Sequence, residues 1–147
     1  MRSLCGVLTV GLMVGAVYLG TAQAQAPLTA ADYPAKMKMV QQTNGELQKA
    51  LKAGVAADAV GPAKTLATLF ADIEKFWAAQ KKDDAVKLAA SARMGFAEAA
   101  AAAAKGDAMA AQMAAGNATA NCKQCHGLYR EGSQQEGFKF KAGAVTE

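Results

Sequence analysis

The sequence contains few cysteines, histidines, prolines and aromatic residues. Its 147 residues include three cysteines, three prolines and one histidine, and aromatic residues make up 6% of the chain. Scarce proline and abundant alanine favour helices, because proline interrupts a helix and alanine has the highest intrinsic helix propensity. No run of β-branched residues indicates a strand. The length allows one domain with a single core, so we predict an all-α domain.

The N-terminal segment has the pattern of a secretory signal peptide. Arg2 provides a positive start, residues 4–19 are apolar, and Ala22-Gln23-Ala24 is a small-x-small cleavage site. The alternative is a retained membrane anchor, but the apolar run is short for a membrane span and is interrupted or followed by Gly6, Gly11, Gly15 and Gly20. We therefore predict a signal peptide at residues 1–24, export to the periplasm and no stable membrane anchor. Cys5 would be removed with the signal.

The two remaining cysteines and the single histidine stand together as Cys122, Cys125 and His126. A structural zinc site needs four ligands, and a thioredoxin-like redox site needs a βαβ setting, so neither fits. A disulfide between the two cysteines would be strained on a helix and would leave His126 unexplained. Cys-x-x-Cys-His is instead the attachment signature of a c-type haem. On a helix all three side chains share one face, which predicts two thioethers to one haem c and His126 as an iron ligand.

The charge pattern and the remaining polar residues exclude other classes of function. The net charge is +4, and the lysines are scattered among Asp and Glu residues, which indicates a solvated surface and no nucleic-acid partner. No acid–base or nucleophile constellation is present, so we do not predict an enzyme. The sequence leaves a homodimer open.

Four helical blocks follow the signal, each bounded by typical helix start and stop residues. The first begins between residues 29 and 32 and ends near 53, with Asp32 as a cap and Gly54 after its end. The second begins near Asp58 or at Gly61-Pro62. The third covers 84–104 and the fourth 108–130, separated by Lys105-Gly106-Asp107.

Short connections between these blocks predict an antiparallel up-down-up-down four-helix bundle at residues 25–130. The haem would then lie near the C-terminal end of helix four. Residues 131–147 are predicted to form a loosely ordered extension, in which Phe138 and Phe140 could dock on the surface. Regular spacing predicts two inward faces: Tyr33, Met37, Val40, Asn44, Leu47 and Leu51 on the first helix, and Leu66, Leu69, Phe70, Ile73, Phe76 and Trp77 on the second.

The sixth iron ligand decides the functional class. A single histidine rules out bis-histidine iron within one chain, which leaves Met, Lys, Tyr, an external molecule or no ligand. In the predicted bundle, the start of helix one lies beside the end of helix four. Met37 is both near that end and on the inward face, whereas Met39 lies about 200° around the helix. Met37 could otherwise be ordinary core filler. A His/Met-ligated iron suits electron transfer, and a five-coordinate iron would bind NO or CO.

The pattern resembles the class II cytochromes c, the family of cytochrome c prime and its low-spin relatives. Residues 122–130, Cys-Lys-Gln-Cys-His-Gly-Leu-Tyr-Arg, are similar to the family's haem motif, and Met37-Lys38 resembles the first-helix pattern of low-spin members. The resemblance implies a periplasmic four-helix bundle that carries haem on Cys122 and Cys125, with His126 as the proximal and Met37 as the distal ligand.

The same resemblance implies two further cofactor contacts. Arg130 falls where the family places an arginine near the proximal side of the haem, although it could equally be a charge at a helix end. Tyr33 stands where many members have arginine, and it could either hydrogen-bond a propionate or pack. We therefore expect a single-electron carrier that works with redox partner proteins. The alternatives are a gas-binding protein of prime type and, if the motif is unmodified, a helical interaction protein without haem.

Overall fold

The computed structural model describes residues 26–133, 135 and 137–146, so the predicted signal peptide and Cys5 lie outside the described residues. The chain forms α1 (Tyr33–Lys52), α2 (Ala56–Ala79), α3 (Asp83–Ala104) and α4 (Ala108–Tyr129), followed by β1 (Arg130–Ser133) and β2 (Gly137–Phe140). The four helices pack against one another as a bundle, as predicted. In the part of the chain described, none of the helices combines the length and the apolarity that a membrane crossing requires.

The helix ends follow from local sequence. Gly54 and Gly106 have positive φ angles of 72° and 78° after α1 and α3, a conformation that glycine adopts without strain. The Asp107 side chain accepts a hydrogen bond from the Ala110 N–H at 2.9 Å and so caps α4. Asp32 stands at the N-cap of α1 without capping it, because its carboxylate accepts from Thr29 Oγ1 at 2.6 Å instead. Helix α2 begins before the predicted positions, and Pro62 lies inside it.

Contacts at one end of the bundle define the direction of each helix. Trp77 near the end of α2 donates a hydrogen bond from Nε1 to the hydroxyl of Tyr33 at the start of α1. The hydroxyl of Tyr129, the last residue of α4, donates to the Asp84 carboxylate at the start of α3. The rings of Trp77 and Tyr129 also pack with their centroids 4.6 Å apart. This end therefore combines the starts of α1 and α3 with the ends of α2 and α4, which is an antiparallel order.

The core combines large side chains from α1 and α2 and Phe96 of α3 with mainly small ones from the rest of α3 and from α4. All six predicted inward residues of α2 are buried, and on α1 only Met37 and Asn44 of the predicted face are half-buried. Between α3 and α4, a side-chain carbon placed on Gly95 would come within 3.0 Å of the Ala118 Cβ, so glycine permits the close approach of these helices. Helices α1 and α4 share far fewer contacts than the pairs α2–α3 and α3–α4.

The segment after α4, predicted as a loosely ordered extension, forms an antiparallel hairpin that docks on the bundle. The backbone N–H of Lys141 donates to the Tyr129 carbonyl at 3.0 Å, and Lys82 Nζ donates to the Gly143 carbonyl at 3.0 Å. Ala144 is buried. Gly132 of β1 has a φ of 88°, and a Cβ there would lie 2.3 Å from the Gly137 carbonyl oxygen, so only glycine fits this position of the strand. The described chain is thus mainly helical with one added two-stranded sheet.

Candidate functional site

The last two turns of α4 bring together the three residues of the Cys-x-x-Cys-His motif. Cys122, Cys125 and His126 are all half-buried, and both cysteines pack against the core as free thiols. The Cys122 Sγ donates a weak hydrogen bond to the Ala118 carbonyl at 3.8 Å. The helical spacing therefore places these groups on a face that is partly shielded from solvent.

The environment of the two thiols keeps them protonated. Burial raises the pKa of Cys122 to about 11. Burial also raises the pKa of Cys125 to about 11, with smaller contributions from negative charge on Cys122 and Asp84. At neutral pH neither sulfur is a thiolate, so neither has the low pKa typical of catalytic or redox cysteines.

The imidazole of His126 is held in its neutral form. Burial lowers its pKa below the ordinary value, and the positive charge of Arg130 lowers the pKa further. A neutral imidazole has a ring nitrogen with a free lone pair, which is the form that binds a metal ion.

The donor set fits an iron held by a porphyrin. Among the residues that the structure describes, no group of three or more His, Cys, Asp or Glu side chains is arranged to hold a metal ion. A free ion at His126 would therefore lack ligands. A porphyrin supplies four nitrogens itself and needs from the protein only axial ligands and points of attachment. Two thiols, one neutral imidazole and a thioether at the same end of the bundle are groups of the kind required.

Met37, the methionine that the sequence predicts as the distal ligand, is half-buried at the start of the bundle's first helix. It lies one turn after Tyr33 on α1 and packs against the core. The other four methionines of the described chain are about half exposed or more: Met39 at 49%, Met94 at 51%, Met109 at 75% and Met113 at 62%. Because the start of α1 lies at the same end as the end of α4, Met37 lies at the end of the bundle that carries His126.

Tyr33 forms part of the wall of the site. It is 8% exposed, and its ring centroid lies 4.6 Å from that of Phe76 and 5.0 Å from that of Phe140. Burial raises its pKa well above the usual range, and negative charge on Cys125 and Cys122 acts in the same direction. The structure thus gives Tyr33 a packing role. Its hydroxyl accepts from Trp77 and keeps a proton to donate, so the propionate contact stays a prediction.

Arg130 links the motif to the hairpin. It is the first residue of β1 and follows α4 directly. Its guanidinium carbon lies 3.9 Å from the centroid of the Phe138 ring, a cation–π arrangement. Its charge is close enough to His126 to lower the pKa of the imidazole. Direct contact between Arg130 and a cofactor stays a prediction.

Sequence reasoning predicted Phe76 and Trp77 in the core and allowed Phe140 to dock on the surface, but it did not connect these residues, or Tyr129, with the candidate site. Trp77 lies in the middle of an aromatic cluster that includes Tyr33, Phe76, Tyr129 and Phe140. Burial and the hydrogen bond to Asp84 raise the pKa of Tyr129 to about 12, and the same hydrogen bond lowers the pKa of Asp84. The position of Tyr129, three residues after His126 on one helix face, could have indicated its proximity. No periodic pattern indicated Phe140.

Two shallow surface depressions are lined by residues outside the Cys-x-x-Cys-His motif. One is lined by Lys64, Ala67, Thr68, Ala97, Ala100, Ala101 and Ala104, and the other by Ala71, Glu74, Lys75, Ala78, Val86 and Arg93. Neither includes a residue of the motif or Met37.

Comparison with known proteins identified no matching family model, no similar curated protein and no similar solved structure. The functional interpretation therefore depends on the residues of the motif and their surroundings.

Proposed function

We propose that this protein is a periplasmic monohaem c-type cytochrome that transfers single electrons, with His126 and Met37 as the axial ligands of the iron. The observation that carries the proposal is the half-buried Cys-x-x-Cys-His face of α4, located at the end of the bundle where Met37 packs inward from α1. The likeness of residues 122–130 to the class II cytochromes c supports the same interpretation. The partners would be redox proteins of the same compartment.

Each residue of the site has a distinct task in this proposal. Cys122 and Cys125 would hold the cofactor through two thioethers. Each thiol would add across one vinyl group, so that the sulfur forms a C–S bond and the thiol hydrogen goes to the neighbouring carbon. His126 binds as a neutral imidazole, so no proton has to be removed first at neutral pH. Haem c supplies an iron centre that accepts and releases one electron. The thioether of Met37 raises the reduction potential of such a centre.

The aromatic residues around the site restrict the access of water. Tyr33, Phe76 and Trp77 are buried and pack directly against one another. A dry, apolar environment disfavours the oxidation state of higher charge. It is therefore a second means of setting the reduction potential of a redox centre. Because these rings come from two helices, the site depends on the packing of α1 against α2 as well as on α4.

Replacing Met37 by alanine in the purified holoprotein tests this function. We expect the wild type to show low-spin bands when reduced and a weak band at about 700 nm when oxidised, as iron–thioether ligation produces. Met37→Ala should lose the 700 nm band completely, lower the reduction potential and bind CO when reduced. The matched control is Met39→Ala, which removes an exposed methionine two residues away and should leave spectrum and potential unchanged.

The outcomes separate the three functional classes. A protein without a Soret band after expression with a haem-attachment system would be a helical interaction protein and not a cytochrome. A wild type that is high-spin and binds CO as readily as Met37→Ala would be a gas-binding protein of prime type. Low-spin spectra that are identical in the wild type and in Met37→Ala would refute Met37 as the ligand.

A further inference from the structure

The hairpin after α4 is fixed to that helix at two points. Strand β1 continues directly from Tyr129, so Arg130 is both the C-cap of α4 and the first strand residue. On the returning strand, the Lys141 backbone N–H donates to the Tyr129 carbonyl at 3.0 Å, and Lys141 Nζ donates to the Gly127 carbonyl at 2.6 Å. Phe140, which precedes Lys141, is therefore held at a set distance from the last turn of α4.

The ring of Phe140 contacts the start of α1. Its centroid lies 5.0 Å from that of Tyr33, 6.0 Å from that of Phe76 and 5.8 Å from that of Trp77. Tyr33 is the first residue of α1, and Met37 follows one turn later on the same face. Direct contacts between α1 and α4 are few, so the hairpin adds a second connection between the helices that carry Met37 and His126.

We propose that Phe140 is a positioning residue, which holds the first turns of α1 against the unit formed by α4 and the hairpin and so keeps Met37 within reach of an iron bound at His126. This inference rests on the proposed function, because it assumes that Met37 is the distal ligand. Phe140 acts through Tyr33, whose ring it contacts. Without its ring, the first turns of α1 keep the attachments to α2, such as the ion pair of Lys36 with Asp72 at 2.9 Å, and the few direct contacts between α1 and α4.

The test compares Phe140→Ala with Phe138→Ala in the purified holoprotein. Phe138 lies on the same strand, is 47% exposed and contacts Arg130 rather than Tyr33, which makes it a matched control. We expect Phe140→Ala to lose most of the 700 nm band and to bind CO roughly tenfold more tightly when reduced, because the methionine-free population rises by that factor. Phe138→Ala should match the wild type, and Phe140→Tyr, which keeps the ring, should restore the band.

Amide hydrogen exchange of the apoprotein provides a readout that does not require haem. In Phe140→Ala, the amides of residues 36–40 should exchange at least roughly tenfold faster, whereas those of residues 89–99 in α3 should not change. A wild-type exchange pattern in Phe140→Ala would overturn the proposal. An equal loss of the 700 nm band in Phe138→Ala would also overturn it.

The two proposals fail in different ways. A wild-type holoprotein without the 700 nm band contradicts Met37 ligation and therefore the proposed function, whereas hydrogen exchange still decides whether Phe140 restrains α1. If the wild type shows the 700 nm band and Phe140→Ala shows it equally, only the role of Phe140 is contradicted. If Phe140→Ala does not accumulate as holoprotein, Phe140→Leu provides the same comparison with a smaller loss of apolar volume.

Discussion

Tyr33 and Trp77 share a hydrogen bond that joins the first helix to the second inside the core. Trp77 Nε1 donates to the Tyr33 hydroxyl at 3.0 Å, and the two residues are 1% and 8% exposed. The sequence predicted that both side chains face inward, because their spacing follows the helical repeat. It could not predict the hydrogen bond, since a repeat fixes a face and says nothing about which side chains of two helices meet.

Tyr33→Phe should destabilise the apoprotein by about 1–3 kcal/mol, because it leaves the buried indole N–H of Trp77 without an acceptor while the ring packing remains. Urea unfolding followed by circular dichroism measures the change. The double variant Tyr33→Phe/Trp77→Phe removes both partners, so its loss should be smaller than the sum of the two single losses. Strictly additive losses would show that the hydrogen bond contributes no coupling.

The packing of α3 against α4 depends on small residues that the sequence identified only as an alanine excess. Eight residues of α3 are buried, and six of them are alanine: Ala85, Ala89, Ala92, Ala99, Ala100 and Ala103. Because alanine occurs on both faces of this helix, its periodicity does not distinguish the inward face. The hairpin was unpredictable for a related reason, since β1 contains no apolar side chain and β2 alternates only over Phe138, Lys139 and Phe140. Its formation depends on glycines with positive φ angles and on contacts with distant residues.

Two glycine substitutions in neighbouring helices should change stability in opposite directions. Gly95→Leu should destabilise the protein by about 1–3 kcal/mol, because its side chain would collide with Ala118 and the Ala114 carbonyl of α4. Gly116→Ala should stabilise the protein by up to about 1 kcal/mol, because a Cβ there meets no atom within 4 Å and alanine favours the helix. Thermal unfolding measures both. A loss of stability in Gly116→Ala would contradict the open surroundings of that residue.

The arrangement of the four helices was predictable because it follows from their number and from the length of their connections. Gly54 and Gly106 mark the ends of α1 and α3, and short links force neighbouring helices to run antiparallel. From that order alone, Met37 and His126 were expected at one end of the bundle. The surroundings of the site were not predictable, since Phe140 reaches Tyr33 only through the hairpin.

The single histidine makes the stability of the apoprotein depend on pH in a way that can be assigned to one residue. Burial and the charge of Arg130 lower the pKa of His126 in the folded protein below the ordinary value of 6.5. As the pH falls through 6.5, the unfolded chain therefore binds a proton that the folded protein resists. The free energy of unfolding should be greatest above pH 6.5 and should decrease below it, until the folded imidazole also becomes protonated.

Urea titrations between about pH 7.5 and 5.5, above the range in which most carboxylates titrate, measure this dependence. The variant Cys122→Ala/Cys125→Ala keeps the protein free of covalently attached haem, and the single tryptophan, Trp77, reports unfolding by fluorescence. The slope should approach at most about 1.4 kcal/mol per pH unit, the value for one proton. Adding His126→Gln to this background should remove the slope, because no other histidine is present. Equal slopes with and without His126 would mean that the folded protein does not resist protonation of this imidazole. The physical reason for a neutral imidazole, as an iron ligand requires, would then be wrong.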